Sequence, residues 1–424
     1  MKYSHPLWRT LRSLKGNQRA CVYTEPLWAV PNNLILPFAS LYMSALGIKD
    51  SRIGIITSLG LILQLVWGLF SGAITDKFGR RKMMLVFGLI SWTVPCLFWA
   101  LAQNYSYFLL AVFFNSMWRV MGNCFSCLIY EEGDYKQLVN IYAILNLIGI
   151  TSGFLSPVAG LFIGHYTLVP VMRGLYFLAM IMMSVKFLLQ YRLTYESNIG
   201  KERMTECRNK SVFSITFSGW KAFLAALKEP HLLLCILFAA LLSCFNTVQD
   251  TFWSLFVSSR YHVSDSMLSV FPFVRSIIML LAYILIVPRI NIKRIKNPLL
   301  TGIVLHLSGL LVLLLFSAFG PGMIGAVFIA AILQALAIAI LGPLCESIMS
   351  VSIPSMERAG INSFIYAVIL LISAPAGAIG GVLSQHNRAL TLVMNLFLIV
   401  AAAIISIPMI HMFNKKITNS SGVE

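Results

Sequence analysis

The stretch "GLFSGAITDKFGRRKMMLV" (68–86) places a dense charge cluster between two uncharged runs. Residues 53–75 carry no charge and neither do 83–118, yet Asp76, Lys77, Arg80, Arg81 and Lys82 crowd into the gap, with Gly72 and Gly79 bracketing the aspartate. Each flanking run is long enough to cross a hydrocarbon core of ~30 Å. The stretch therefore reads as the wet tip of a membrane-spanning helical hairpin.

The same pattern extends along the whole chain. Of 424 residues, 58% are apolar and 11% are charged, against roughly 25% charged in soluble globular proteins. Apolar runs predict twelve spans at 26–47, 52–75, 83–102, 107–130, 139–164, 169–190, 231–257, 266–288, 298–319, 323–348, 360–384 and 389–412. Their length, without period-2 alternation, makes them helices rather than strands of a barrel. The first twenty residues are polar and basic and show no signal-peptide pattern.

The net charge of +17 is explained by topology. With the N-terminus placed in the cytoplasm, 24 of the 32 Lys and Arg fall in inner loops and tails, and only Lys49, Arg52, Arg260 and Arg388 fall outside. This positive-inside bias puts both termini in the cytoplasm, and no nucleic-acid partner is needed. None of the eight cysteines lies in an external loop, so disulfides are not expected. Cys124-x-x-Cys127 lacks a second pair or a His partner and reads as structural rather than metal-binding. Neither a metal nor a cofactor is expected.

A polar segment at 191–229 separates six spans (1–190) from six (230–424). "DYKQLVN…SPVAGLFIG" (134–164) is similar to "MERAGIN…APAGAIGG" (356–381), and "LIVPRINIKRIK" (285–296) is a faded partner of the 2–3 loop. The expected fold is an all-α polytopic membrane protein of twelve transmembrane helices in two pseudo-symmetric six-helix bundles. Duplicated halves of this kind are a transporter signature. Gly68/Gly72, Gly149/Gly153, Gly160/Gly164 and Gly377/Gly381, each four apart, offer faces for close helix approach.

"GAITDKFGRRK" (72–82) resembles the signature loop of the major facilitator superfamily, Gly-x-Leu-a-Asp-r-x-Gly-r-r/k. Gly72, Asp76, Gly79, Arg80 and Arg81 match, while Ile74 replaces leucine and Lys77 arginine. With twelve spans and a central loop, the resemblance covers the whole chain. Gly72 would permit a tight helix contact, and Gly79 can take φ > 0 in a short turn. The resemblance implies a conformational latch. Asp76 would meet the start of the eleventh span, about Ala359 to Ser363, and Arg80 would pair with Glu131, Glu132 or Asp134. In span 5, Ser152-xxx-Ser156-Pro157-xx-Gly160 partly matches the antiporter stretch of the family and favours efflux.

Charges within a span cost ~2.5–3.5 kcal/mol on insertion scales and call for a reason. Asn115, Arg119, Asn123 and Ser126 form a predicted polar stripe on span 4, and Asn246, Gln249, Asp250 and Trp253 form another on span 7. Asp250 could take a proton or pair a cationic substrate, with Trp253 stacking on an organic ring. Glu346 follows the breaker Gly342-Pro343 in span 10, and Arg275 in span 8 is a potential partner for Asp250. Glu25 opens span 1, with Asn32 and Asn33 beside Pro31. Lys186 and Arg173 read as snorkelling residues near span ends. In the family, spans 1, 4, 7 and 10 line the central cavity. Glu25, Arg119, Asp250 and Glu346 fall one on each.

No phosphate loop, His-Glu-x-x-His or Gly-x-Ser-x-Gly is present, so neither ATP drive nor hydrolase chemistry is expected, and the chain is not read as an enzyme. The expectation is a monomeric secondary transporter in the plasma membrane. It would move a small organic solute by alternating access, coupled to protons, with efflux favoured. One alternative is proton-coupled uptake of an anionic solute clamped by Arg119 and Arg275. Another is a non-transporting membrane sensor that signals through the 6–7 loop.

Overall fold

A computed structural model of the chain describes residues 6–131, 135–217, 229–290, 295–319, 321–352 and 358–421. Among them there is no strand. Eleven helices are long and apolar enough to cross a membrane: α2 (Asp50–Phe78), α3 (Arg80–Ala100), α4 (Tyr105–Tyr130), α5 (Gln137–Tyr166), α6 (Leu168–Leu193), α7 (Pro230–Tyr261), α8 (Asp265–Arg289), α9 (Lys296–Phe316), α10 (Ile324–Met349), α11 (Phe364–His386) and α12 (Ala389–Phe413). The remaining crossing precedes them. Its helix α1 (Pro26–Ile35) continues through a 3₁₀ turn, Leu36–Phe38, into Ala39–Ala45. The break explains why no single long helix forms there, since Pro37 can neither donate to the ladder nor fit its interior. Twelve helices in all lie within a few residues of the apolar runs.

Other interruptions have equally local causes. A π-helical segment, Leu89–Thr93, precedes Pro95 in α3, and a 3₁₀ turn, Gly153–Leu155, precedes Pro157 in α5. In α4 the helix pauses at Ser116–Met117, where the Ser116 hydroxyl donates to the Phe113 carbonyl at 2.6 Å. Non-helical backbone at membrane depth is tolerated only inside protein or beside water.

Packing divides the chain into two units. The first comprises 1–46 and 62–218, and the second 47–61 and 219–424. Helix α2 is thus split: its first three turns pack with the second unit and the rest with the first. The core of the first unit is built on Met84, Val120, Cys124, Leu128, Ile141 and Phe187, all fully buried. In the second unit α7 supplies Phe245, Phe252, Phe256 and Tyr261, and the Tyr261 hydroxyl donates to the Leu313 carbonyl at 2.7 Å. A buried phenol of this kind needs a partner, and the α9 backbone provides one.

Candidate functional site

The charged turn between α2 and α3 is built on Gly79, whose φ of +89° lies in the region that side chains with a Cβ rarely adopt. A Cβ there would also stand 2.9 Å from Glu196 Oε2 and 2.9 Å from Met204 Sδ. Arg80 follows and is only 3% exposed. Its guanidinium pairs with Asp76 at 2.8 Å and with Glu131 at 3.0 Å, and donates to the Thr75 carbonyl at 3.3 Å. Arg81 donates twice to the Tyr191 carbonyl, at 2.9 and 2.8 Å, and lies 4.2 Å over the Tyr191 ring.

Glu196, which the sequence reading passed over, completes this turn. Its carboxylate accepts the backbone N–H groups of Arg80 (2.9 Å) and Arg81 (3.0 Å), and so caps the positive N-terminus of α3. Its neighbour Ser197 hydrogen-bonds Glu131 and accepts the Gly200 N–H at 2.9 Å, starting the loop helix Asn198–Cys207. Within the first unit the cluster braces α2, α3, α4 and the chain leaving α6. Among the described residues, a Cβ added at Gly72 would meet nothing within 4 Å. Glu132 and Asp134 lie outside the described residues, as do the side chains of Ala359 to Ser363. The brace predicts that Gly79→Val lowers stability by ~1–3 kcal/mol through backbone strain. Ser197→Ala removes a helix cap at a cost of ~1 kcal/mol. Thermal unfolding of the detergent-solubilised variants measures both.

Glu25 sits at the kink just before α1, and its carboxylate pairs with Lys186 of α6 at 2.9 Å. Lys186 is 3% exposed, and its ammonium lies 5.5–5.7 Å from the ring centres of Trp28, Phe125 and Phe187. It does not snorkel, which corrects the expectation. A partner carboxylate and three ring faces replace the water it would otherwise seek. One helical turn further on, Gln190 donates to Thr24 at 2.9 Å, extending the polar seam between the two segments.

On α4, Arg119 is half-buried and lies 4.3 Å over the Trp118 ring. The predicted stripe crosses the pause at Ser116–Met117, which lies between Asn115 and Arg119. Asn115 donates to the Ser91 carbonyl at 2.9 Å and Asn123 to Thr75 at 3.0 Å, so both amides serve the interior of the first unit. Asn33 likewise donates to the carbonyls of Ala29 (2.8 Å) and Gly149 (3.3 Å), while Asn32 is half-buried.

In the second unit the span-7 stripe splits in two. Gln249 turns inward, donating to Gln334 at 3.0 Å and accepting from Asn395 at 3.1 Å. Asn246 and Asp250 lie one turn apart and are exposed, and Trp253, half-buried, follows along the helix. The Trp253 ring packs edge-on against Phe271 at 5.3 Å, which in turn meets Phe328 at 4.9 Å. Its indole N–H finds no partner among the described residues. Arg275 is exposed on α8 within electrostatic range of Asp250. Glu346 on α10 is exposed and accepts from the Tyr366 hydroxyl at 3.2 and 3.3 Å.

The four charges expected on spans 1, 4, 7 and 10 thus fall two to a unit. Glu25 and Arg119 belong to the first, Asp250 and Glu346 to the second. Within the first, Glu25 is joined to Lys186, which the sequence reading had assigned to the membrane surface. Among the described residues no cluster of three or more His, Cys, Asp or Glu is arranged to hold a metal ion.

Comparisons with known proteins extend this geometry. The sequence profile of the Major Facilitator Superfamily matches residues 29–345. The chain is 28% identical over 138 residues to the uncharacterized MFS-type transporter YqjV of Bacillus subtilis (strain 168), and the match spans 31% of this chain and 32% of that protein. Its fold is similar to the crystal structure of nucleoside transporter NupG, with TM-score 0.68 and 15% identity, covering 96% of this chain and 99% of that one. It is also similar to peptide transporter POT in complex with sulfate, with TM-score 0.67 and 13% identity over 96% of this chain and 98% of the other. The profile match spans most of the chain, and the twelve-helix fold agrees with it: this protein belongs to the Major Facilitator Superfamily and is a membrane transporter of that type.

Proposed function

We propose that the chain is a proton-coupled secondary transporter of a small organic solute, working by alternating access, with Asp250 as the residue that takes up and releases the proton. The observation that carries this reading is the exposed face of α7. There Asn246 and Asp250 stand a turn apart, and the half-buried Trp253 ring, whose buried N–H has no partner among the described residues, follows along the helix. By rise per residue Asp250 lies about 30 Å from Pro230 and about 16 Å from Tyr261, inside the hydrocarbon depth of a bilayer. A carboxylate there is too costly to face lipid, so its face belongs to a water-filled path. Asn246 offers both a donor and an acceptor, Trp253 an aromatic ring, and Asp250 a charge. The set suits a polar organic molecule with a ring and a basic or donor group.

In this reading the protein is a monomer of the plasma membrane with both termini in the cytoplasm. Arg119 contributes hydrogen bonds to the solute path within the first unit, and Glu346 tunes the second. Efflux is the working direction, following the Ser156-Pro157 pattern of α5. The uptake alternative requires Arg275 to act as an anion clamp, yet Asp250 stands within its electrostatic range and competes for it.

Purified protein in proteoliposomes tests the reading. Candidate solutes are first chosen by thermal stabilisation, since a ligand that binds the folded state raises its apparent stability. An imposed proton gradient is expected to drive movement of a stabilising solute, and a protonophore to stop it. Flux indifferent to the gradient would remove proton coupling.

A further inference from the structure

Two helices precede α1, Pro6–Ser13 and Gly16–Thr24, and both are fastened to the first unit. Leu14, between them, is buried in that unit's core, with Leu7 and Leu11 packed against the same cluster. Three polar contacts set their depth. Thr10 accepts from Asn140 at 3.1 Å on the first turn of α5, and Gln18 donates to the Ile129 carbonyl at 2.9 Å on the last turn of α4. Asn17 pairs with the backbone of Tyr195, just past the end of α6, donating to its carbonyl at 3.0 Å and accepting its N–H at 2.9 Å. Helices α4, α5 and α6 are 26, 30 and 26 residues long, about 39–45 Å of helix against a hydrocarbon core of ~30 Å. Their ends stand in the headgroup layer, and the two N-terminal helices stand there with them.

The outward side of this pair combines aromatic rings with cations. Trp8 and Tyr23 are 49% and 53% exposed, and Arg9, Arg12, Lys15 and Arg19 are exposed as well. Arg12 lies 4.8 Å over the Trp8 ring and Arg19 5.6 Å over that of Tyr23. The Tyr23 hydroxyl donates to the Leu11 carbonyl at 3.3 Å, tying the second helix back to the first. Residues 1–24 contain no Asp or Glu. Asp76, Glu131 and Glu196, at the same end of the unit, are engaged at the turn before α3.

We propose that Trp8, Arg9, Arg12, Lys15, Arg19 and Tyr23 form a binding surface for the headgroups of anionic phospholipids. Charge complementarity names the sign of the occupant, and depth names its kind. Exposed tryptophan and tyrosine are at home where headgroups meet acyl chains, and contact with a ring leaves a guanidinium its N–H groups for phosphate oxygens. An acidic segment of a soluble protein would match the four cations but has no use for rings held at that level. Lipid bound here steadies the entry to the first span, since the same segment runs on through Glu25 into α1. The surface needs neither solute nor proton gradient; only the leaflet it meets rests on the cytoplasmic placement of the N-terminus proposed above.

The test places the full chain in phosphatidylcholine vesicles carrying, in both leaflets, a minor fraction of brominated phosphatidylglycerol or the same fraction of brominated phosphatidylcholine. The fluorescence of Trp8 is read as the difference between the parent and Trp8→Phe. It is expected to be quenched roughly three- to tenfold more effectively by the anionic lipid, through attraction to several surface cations. That preference is expected to shrink as salt is raised. Replacing Arg9, Arg12, Lys15 and Arg19 together by Gln is expected to bring the ratio to about one, and Arg9→Gln/Arg12→Gln alone to lower it by roughly half. All four side chains are exposed, so both variants are expected to unfold in phospholipid-free detergent at the parent's temperature. Equal quenching by the two lipids in the parent, or a preference that survives loss of all four cations, would overturn the proposal. Quenching by aqueous iodide with none from either lipid would also overturn it, and would assign the surface to a soluble acidic partner.

Discussion

Lys186→Met is expected to lower the apparent melting temperature of the solubilised protein by roughly 6–20 °C, corresponding to about 3–5 kcal/mol at ~2–4 °C per kcal/mol. The size follows from what the change leaves behind. The Lys186 ammonium sits 2.9 Å from the Glu25 carboxylate, with 3% and 14% of the two side chains exposed. Removing the cation strands a carboxylate among Trp28, Phe125 and Phe187, a setting with little water to solvate it. Glu25→Gln should cost a comparable amount by stranding the ammonium instead. The double variant should recover much of the loss, because neither neutral side chain carries the desolvation penalty of an unpaired buried charge. A double-mutant cycle on thermal unfolding measures the coupling. Arg203→Ala supplies the contrast, since Arg203 and Glu206 are 53% and 58% exposed and their pair is worth ~0–1 kcal/mol. Additive single effects at positions 25 and 186 would show that the pair does not act as a unit.

The same pair marks where sequence reading stops. The twelve helices were legible because each is a long apolar run with few or no charges, and a helix satisfies the backbone of such a run within the bilayer. Gly79 was legible too, since a glycine between opposite charges at a helix boundary has few other reasons to be there. The destination of Lys186 was not. Seven residues before the end of α6, a lysine can reach the interface or turn inward, and only the position of Glu25, elsewhere in the chain, decides between the two. Gln249 was misplaced for a related reason. Helical spacing set it on the face of Asp250, but 100° of rotation separates consecutive residues, and buried amides on α10 and α12 drew it inward. The Asp50–Arg388 pair joins residues more than three hundred positions apart, at the ends of α2 and α11. Its one faint signal is that opposite charges fall on the same expected side of the membrane. Ser58 gave no signal at all, because a serine among apolar residues carries no mark of the backbone groups of Ala374 and Ala378 that it meets.

Asp250→Asn is expected to abolish gradient-driven accumulation while leaving solute binding and counterflow exchange in place. Among the described residues, the carboxylates of the spans divide by their partners. Glu25 is held by Lys186, Asp50 by Arg388 and Glu131 by Arg80, while Glu346 accepts from Tyr366. Asp250 alone of those deep within a span has neither an ion pair nor a hydrogen bond in contact, and it is exposed along its helix face. A carboxylate fixed by a cation gives up its charge only by stranding that cation; one that faces solvent can change protonation without breaking a contact. Arg275 of α8 stands within electrostatic range of it. A difference of one pH unit supplies about 1.4 kcal/mol per proton, enough for roughly tenfold accumulation at one proton per solute. With asparagine at position 250 the ratio should fall to about one under the same gradient, since exchange without a titrating group can only equalise concentrations. Glu346→Gln, by contrast, should retain coupling and change the rate. Full accumulation by the Asp250→Asn variant, with loss in Glu346→Gln, would move the proton site to α10.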